Sequence, residues 1–325
     1  MYEFIDVIEF FIGIINNLKK GMINLHSSLE EIVLKVSGGN LAYIDNRRDA
    51  KQKYGCDLWG GLNRALLKTA GIEERLLYSQ SGQFPDFIFK SREHEKQLTC
   101  GSLLELKDSR GGSIASFNST LPTKNKNLEE VDIINGSNLV SRVTSIKDSE
   151  LAKAENYYTY QRRCFYFIRT YRDDDRVKIS LVDGSFFETV PKDHLIYQMF
   201  LNILQAHLTK KDIKISTETL GQFQEVLSHI TDQTIIASSQ TIERASVRPR
   251  LRIMAEAHSE GNPHSSSYPE ILDGSFNLII QKVPFTKELE EKLQREIPQT
   301  EKFTIYHKRN GEHIVFQFKA EEKLR

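Results

Sequence analysis

The sequence contains very little cysteine. Its 325 residues include three cysteines, Cys56, Cys100 and Cys164, which are widely spaced and form no C-x-x-C motif. An odd, sparse set argues against a disulfide framework and against a zinc site. We therefore expect a protein of the reducing cytoplasm, in which each cysteine is a small buried hydrophobic residue.

Long apolar runs are also missing. No stretch reaches the roughly 20 apolar residues that a membrane-spanning helix needs. The first residues, from Met1 to Asp6, lack the basic region of a secretion signal. We therefore expect no membrane contact and a cytoplasmic location.

Charge of one sign is not in excess either. The 44 lysines and arginines balance the 44 aspartates and glutamates, so the net charge gives no support for a polyanionic partner. It does not exclude one, because an enzyme that acts at selected sites needs only a local basic cleft. With 39% hydrophobic and 27% charged residues, the composition is that of a soluble globular protein long enough for one large or two ordinary domains.

The most informative stretch runs from Pro85 to Thr123. Its first apolar run begins with Pro85-Asp86, and its second is Leu103 to Lys107. Side chains alternate between the two faces of a strand, so Glu105 and Lys107 project from the same face. If the two runs pair antiparallel, Asp86 comes beside Glu105.

Two adjacent carboxylates, with water in the remaining positions, suit Mg²⁺. In this interpretation Asp86 and Glu105 bind the ion, the carbonyl of Leu106 completes its shell, and Lys107 positions the attacking water. The ion polarises a phosphoryl oxygen and neutralises the leaving oxygen. The chemistry indicated is hydrolysis of a phosphodiester.

Pro85-Asp86 followed by Glu105-Leu106-Lys107 resembles the PD-(D/E)xK signature of the restriction-endonuclease-like nucleases. Residues 108–123 are similar to the segment that follows this signature in some type II restriction enzymes. The resemblance implies a Mg²⁺-dependent, site-specific deoxyribonuclease that cleaves double-stranded DNA and leaves 5′-phosphate ends. We also expect a homodimer, because cutting both strands is most simply done by two copies of one site related by twofold symmetry. It also implies a bacterial or archaeal restriction-modification system, whose cognate methyltransferase acts on the same DNA site but need not bind this protein.

Two segments supply the predicted DNA contacts. In the loop after Lys107, Gly111 and Gly112 let backbone N–H groups approach a phosphate, and short polar side chains suit contacts to backbone or base edges. In residues 240–252, guanidinium groups suit phosphates and guanine edges. The predicted contacts are Arg110, Gly112, Ser113, Ser116, Asn118, Ser119, Thr120, Arg248 and Arg250. Each segment also has a plainer interpretation, as a turn or as a solvated linker.

Hydrophobic periodicity predicts an α/β (α+β) protein with a mixed central sheet flanked by helices, the restriction-endonuclease-like fold that the resemblance implies. We expect residues 1–240 to form the nuclease core with a helical N-terminal region, made of two helices or of one helix bent at Gly21. Residues 241–325 hold the basic loop and a β-α-β-β region, which either extends the main sheet or forms a small subdomain. The other predicted elements are a helix over 57–70, a helix over 150–163, strands over 164–171 and 177–190, helices over 193–208 and 218–230, and a loop over 257–269 with His258 and His264 at the surface.

Several alternatives stay open from the sequence. Glu105 and Lys107 are also what an exposed ion pair on an edge strand looks like, and Pro85-Asp86 what an ordinary turn looks like. The apolar stripe of the N-terminal helices is either core or a dimer surface. At the level of function, a repair or recombination nuclease of the same fold and a non-catalytic DNA-binding protein are the competing hypotheses.

Overall fold

A nine-stranded mixed sheet dominates the part of the chain that the computed structural model describes. The predicted mixed α/β class is therefore confirmed. The described residues are 2–37, 41–43, 84–89, 102–112, 114, 117–118, 121–127, 130, 159, 161–172, 176–188, 192–231, 234–235, 238, 254–283 and 286–320.

The strands, in chain order, are β1 (Leu41–Tyr43), β2 (Phe87–Phe89), β3 (Leu103–Arg110), β4 (Phe117–Asn118), β5 (Asn125–Lys126), β6 (Arg162–Tyr171), β7 (Val177–Asp183), β8 (Met254–Ala255), β9 (Ser275–Gln281), β10 (Glu301–His307) and β11 (Gly311–Lys319). The main sheet has the spatial order β1-β2-β3-β6-β7-β9-β11-β10, with β5 beside β6. Strand β3 is parallel to β6 and β7 is parallel to β9, whereas the other pairs are antiparallel. The C-terminal strands thus extend the main sheet, and β4 and β8 form a separate pair.

Five α-helices of the described chain are α1 (Tyr2–Lys19), α2 (Leu29–Ser37), α3 (Lys192–Lys210), α4 (Thr217–Ser228) and α5 (Thr286–Glu296). The predicted break between the two N-terminal helices is present. Gly21 has a φ of 67° and donates its N–H to the carbonyl of Leu18 at 2.9 Å, which ends α1. The predicted helix over 57–70 lies outside the described residues.

Helix α1 covers one face of the sheet. Its Phe4 packs edge-on against Phe165 of β6 at a centroid distance of 5.9 Å, and Phe10 packs in the same way against Phe167 at 5.8 Å. Each phenyl ring contributes roughly 2 kcal/mol through burial. The apolar stripe of α1 therefore belongs to the core and not to a dimer surface.

An aromatic cluster covers the other face, above β3 and β6. Phe117, Tyr166 and Phe187 meet edge to face, with centroid distances between 5.1 and 5.4 Å. Cys164 is fully buried beside them, as predicted for a small hydrophobic residue. This face carries the candidate site.

Helices α3 and α4 are largely exposed, although Ile196 and Leu201 of α3 are buried. No residue of α4 is buried, and apolar side chains such as Ile203 and Val226 are more than half exposed.

None of the described helices combines the length and hydropathy that crossing a membrane requires.

The prediction of a helix up to Arg163 is wrong at its C-terminal end. Arg162 and Arg163 are the first residues of β6, and residues 150–158 lie outside the described part. Arg163 is buried and donates from Nε and Nη2 to the two carboxylate oxygens of Asp183, at 2.9 and 2.6 Å. A bidentate partner on the neighbouring strand satisfies the buried charge of Arg163, so this side chain does not need to face solvent from a helix.

The prediction that His264 lies at the surface is wrong. Its side chain is buried, with Nδ1 2.7 Å from the Thr170 hydroxyl and Nε2 2.7 Å from the Ser180 hydroxyl. Through these two hydrogen bonds the imidazole links the loop before β9 to strands β6 and β7. Only His258, of the two histidines in the loop, is exposed as predicted.

Gly184 allows a close crossing of two chain segments. A Cβ at this position would lie 2.1 Å from the carbonyl oxygen of Thr123. We expect Gly184→Ala to lower the free energy of unfolding by about 2–3 kcal/mol, because backbone must move to admit the methyl group. Gly221→Ala is the control: in α4 its Cβ meets no described atom within 4 Å, and alanine should add about 0.5–1 kcal/mol. Urea unfolding of both variants checks the opposite signs, and equal effects would contradict them.

Acid should destabilise the protein through His264. Burial lowers its pKa from 6.5 to about 3, with a smaller effect of Lys178. The unfolded chain therefore binds a proton between these values that the folded protein does not. Stability is fully present above pH 6.5 and falls as the pH drops toward 3, by up to about 1.4 kcal/mol per pH unit.

Urea unfolding between pH 4 and 7 measures this dependence. His313 adds to the slope in the same direction, since burial lowers its pKa to about 4. The variant His264→Gln should be less stable at pH 7 but show a shallower slope than the wild type. An unchanged slope would assign the acid sensitivity to other groups.

Candidate active site

The antiparallel pairing of β2 and β3 brings Asp86 beside the strand that carries Glu105 and Lys107. Phe87 pairs with Leu104 in antiparallel register, so the next position along places Asp86 opposite Glu105. The Oδ2 atom of Asp86 accepts a hydrogen bond from the N–H of Leu106 at 2.8 Å. The predicted antiparallel pairing and the juxtaposition of Asp86 with β3 are confirmed.

Glu105 and Lys107 lie on the same face of β3. Their Oε1 and Nζ atoms are 2.7 Å apart, and each side chain is only 11% exposed. Strand β3 lies between β2 and β6 in the sheet. The alternative of an exposed ion pair on an edge strand is therefore wrong.

Aromatic side chains surround this ion pair. Tyr166 is the register neighbour of Glu105 on β6, and its hydroxyl accepts a hydrogen bond from the N–H of Thr123 at 3.0 Å. Burial, assisted by neighbouring acidic groups that include Glu105, raises the pKa of Tyr166 well above its usual value. The Nζ atom of Lys107 lies 5.7 Å from the ring centroid of Phe117. Charge interactions in such surroundings are stronger than in water.

Sequence reasoning missed a second lysine near the start of β2. Lys126 is 1% exposed, and its Nζ atom lies 5.1 Å from the ring centroid of Phe84, the residue before Pro85. In the backbone register of β5 and β6, Lys126 lies opposite Arg162, the first residue of β6. Its sequence neighbours are polar, and no periodic pattern marks it for burial, so only the tertiary structure reveals its position.

Glu188 is another residue that the sequence did not single out. One of its oxygens, Oε2, accepts from the Thr123 hydroxyl and from the N–H of Lys124, both at 2.5 Å. This carboxylate fixes the segment that runs past Tyr166 to β5. It holds one wall of the site in place.

The donor set fits Mg²⁺ better than Zn²⁺. The described residues contain no cluster of three or more histidine, cysteine or acidic side chains. Mg²⁺ keeps several waters and is held by one or two carboxylates together with substrate phosphate, a requirement that Asp86 and Glu105 meet. The N–H and C=O of a strand residue point toward the same neighbouring strand, so the carbonyl of Leu106 faces the same edge of β3 as the N–H that binds Asp86.

Burial raises the pKa of Cys164, which keeps this side chain a neutral thiol.

Arg110 and Gly112 do not join the cluster around Lys107. Arg110 is three residues along β3 and leaves from the opposite face, with its guanidinium carbon 5.8 Å from the ring centroid of Tyr171. The carbonyl of Gly112 accepts a hydrogen bond from Asn262 at 3.2 Å. The N–H of Gly111 donates to the carbonyl of Tyr171 at 2.9 Å, so it is hydrogen-bonded within the chain, and its approach to a phosphate stays a prediction.

Asn118 belongs to β4, where its backbone pairs with Met254. The contact to DNA that the sequence predicts for it stays a prediction. The other predicted DNA contacts, Ser113, Ser116, Ser119, Thr120, Arg248 and Arg250, lie outside the described residues.

Comparisons of this chain with models of protein families, with curated proteins and with solved structures gave no significant match. The resemblance to the PD-(D/E)xK signature therefore rests on the residues themselves, and the membership that it implies stays a prediction.

Removing one carboxylate should weaken metal binding. We expect Asp86→Asn to lower the affinity for Mg²⁺ or Mn²⁺ by at least about tenfold, because the amide still accepts the hydrogen bond from Leu106 but carries no charge. Titration calorimetry measures this affinity. Asp108→Asn is the matched control, since Asp108 is on the same strand, on the opposite face, and is paired with Arg169. Equal metal affinity in both variants would contradict the site.

Proposed function

We propose that the protein is a Mg²⁺-dependent phosphodiester hydrolase that cleaves double-stranded DNA. The observation that carries this proposal is the placement of Asp86, Glu105 and Lys107 by two neighbouring strands of one sheet. Carboxylates on two neighbouring strands, with a lysine beside them, are the side chains that binding of Mg²⁺ and attack of water on a phosphodiester require.

Each of the three side chains has a separate role in the proposed reaction. Asp86 and Glu105 hold the ion, and the carbonyl of Leu106 lies at the same edge. When bound, Mg²⁺ polarises the phosphoryl oxygen and stabilises charge on the leaving oxygen. Lys107, held by Glu105, donates a hydrogen bond that orients the attacking water for in-line displacement. The bond between phosphorus and the 3′ oxygen breaks, which gives a 5′-phosphate and a 3′-hydroxyl.

The resemblance in the sequence specifies the proposal further. It favours a type II, site-specific endonuclease of the restriction-endonuclease-like class, part of a restriction-modification system. Cutting both strands is most simply done by two copies of one site, so a homodimer is part of the proposal. The dimer contact does not use the apolar stripe of α1, because that stripe is buried in the chain itself.

Cleavage of plasmid DNA tests the proposal. With Mg²⁺ the wild-type protein should give discrete fragments with 5′-phosphate ends, and with EDTA it should give none. Asp86→Asn and Lys107→Ala should each reduce the rate at least about a hundredfold, because each removes a group that acts at the reacting phosphate. Asp108→Asn should cleave at a rate close to that of the wild type.

The other outcomes separate the competing functions. A smear of fragments without discrete sites would favour a repair or recombination nuclease that uses the same residues. Retained DNA binding without cleavage, for a folded protein tested on differently methylated DNAs, would favour a non-catalytic DNA-binding protein. Cleavage by Asp86→Asn at the wild-type rate would remove Asp86 from the mechanism.

A further inference from the structure

Strand β10 is an edge of the main sheet. Among the described strands it pairs only with β11, and no described strand lies on its other side. Glu301, Lys302, Thr304 and Tyr306 are exposed along this strand. Tyr306, at 70%, is the most exposed of the large hydrophobic side chains that the structure describes. An edge strand of seven residues is a template on which another strand can pair.

The hydrogen bonds between β9 and β11 show which backbone groups of β10 face the open edge. The N–H of Lys282, the residue after β9, donates to the carbonyl of Glu312 at 3.3 Å. Even-numbered residues of β11 therefore bond to β9, and odd-numbered residues of β11 bond to β10. The register of β10 with β11 pairs odd-numbered residues with odd-numbered ones. The N–H and C=O groups of Lys302, Thr304 and Tyr306 thus point away from β11, toward the open edge.

The charges of β10 do not repel a second copy of the strand. Exposed edges are often protected by a lysine whose charge keeps other strands away. Lys302 is instead paired with Glu290 of α5, and Glu301 is paired with Lys319 of β11 at 3.0 Å. Burial lowers the pKa of His307, which keeps this imidazole neutral. One acidic and one basic residue remain, so the strand carries no net charge.

The sequence of β10 also fits a reversed copy of itself. When Thr304 lies opposite Thr304 of a second copy, all seven residues have partners and the outward-facing backbone groups meet. Lys302 then lies opposite Tyr306 of the copy, and Phe303 opposite Ile305. A cation with an aromatic ring, an aromatic with a β-branched side chain and threonine with threonine are favourable cross-strand pairs. The smallest shift that keeps the hydrogen bonds is two residues, and it leaves two residues of each strand without partners.

We infer that β10 is the contact of a homodimer, in which two copies pair their β10 strands antiparallel around a twofold axis at Thr304. Each of the three outward-facing residues exchanges two hydrogen bonds with its partner, so the two main sheets become one. The proposed function includes a homodimer but does not locate its contact, and this inference does not rest on nuclease activity. Strands β6, β7, β9 and β11 separate β10 from β3, so the contact and the candidate active site can be changed separately.

Sedimentation equilibrium of the protein, without DNA or metal, tests the inference. The wild type should have the mass of two chains. Thr304→Pro should raise the dissociation constant of the dimer at least about tenfold, because it removes the N–H at the axis from both copies. Proline is tolerated on an edge strand where the N–H faces solvent, so the ladder with β11 should remain. Thr304→Val keeps the N–H and the β-branched shape, and should dissociate like the wild type.

A cysteine at the axis tests the register. Opposite residues of a hydrogen-bonded antiparallel pair have Cα atoms about 5.5 Å apart, a distance that a disulfide can span. Thr304→Cys should therefore give a disulfide-linked dimer on mild oxidation, above the background of the wild type with its own three cysteines.

The neighbouring positions are the matched controls. Position 302 of one copy lies four residues along the strand from position 302 of the other, about 13 Å away. Lys302→Cys alone and Tyr306→Cys alone should not link, whereas a mixture of the two variants should. A link formed by Lys302→Cys alone, without one at Thr304→Cys, would overturn the inferred register.

The remaining outcomes separate this inference from the nuclease proposal. A dimer linked through Thr304→Cys in a protein that cleaves no DNA would leave the contact standing and remove the nuclease. A wild-type protein that cleaves DNA but stays monomeric would overturn the contact and keep the hydrolase. A dimer that Thr304→Pro does not weaken would place the contact elsewhere, which also overturns the inference.

Discussion

The hydrogen bond from the N–H of Leu106 to Oδ2 of Asp86 connects the parts of the candidate site. It spans 2.8 Å between the residue before β2 and the strand that carries Glu105 and Lys107. Because the bond is largely buried, it holds a carboxylate at one position on the edge of β3 against the cost of desolvation. The positions that we propose for a cation between Asp86 and Glu105, and for a water near Lys107, depend on this contact.

Much of this arrangement was predictable, because it depends on local rules. Alternation along a strand places Glu105 and Lys107 on one face, and antiparallel pairing of two neighbouring runs places Asp86 beside them. The N-terminal helices and the β-α-β-β region followed from the same kind of short-range periodicity. The strand boundaries differ by several residues, as at β7, which ends at Asp183 instead of residue 190.

The remainder of the site depends on contacts between distant segments. Tyr166 reaches Glu105 only through the parallel pairing of β3 with β6, which are joined by more than fifty residues. Lys126 and His264 are polar residues in polar surroundings, and nothing in their sequence neighbours predicts that partners on β6 bury them. His307 is at the end of an exposed hairpin pattern, yet the turn after it fixes the tautomer of its ring. Sequence periodicity carries no information on such pairings.

The central claim is that Asp86 and Glu105 bind one divalent ion in front of Lys107. Anomalous X-ray scattering from crystals grown with Mn²⁺ and a DNA duplex measures the position of that ion directly. The account predicts a peak at about 2–2.3 Å from a carboxylate oxygen of each residue, with a DNA phosphate oxygen in the same shell. A crystal with bound DNA and Mn²⁺ located elsewhere, with Lys107 still paired to Glu105 alone, would contradict it.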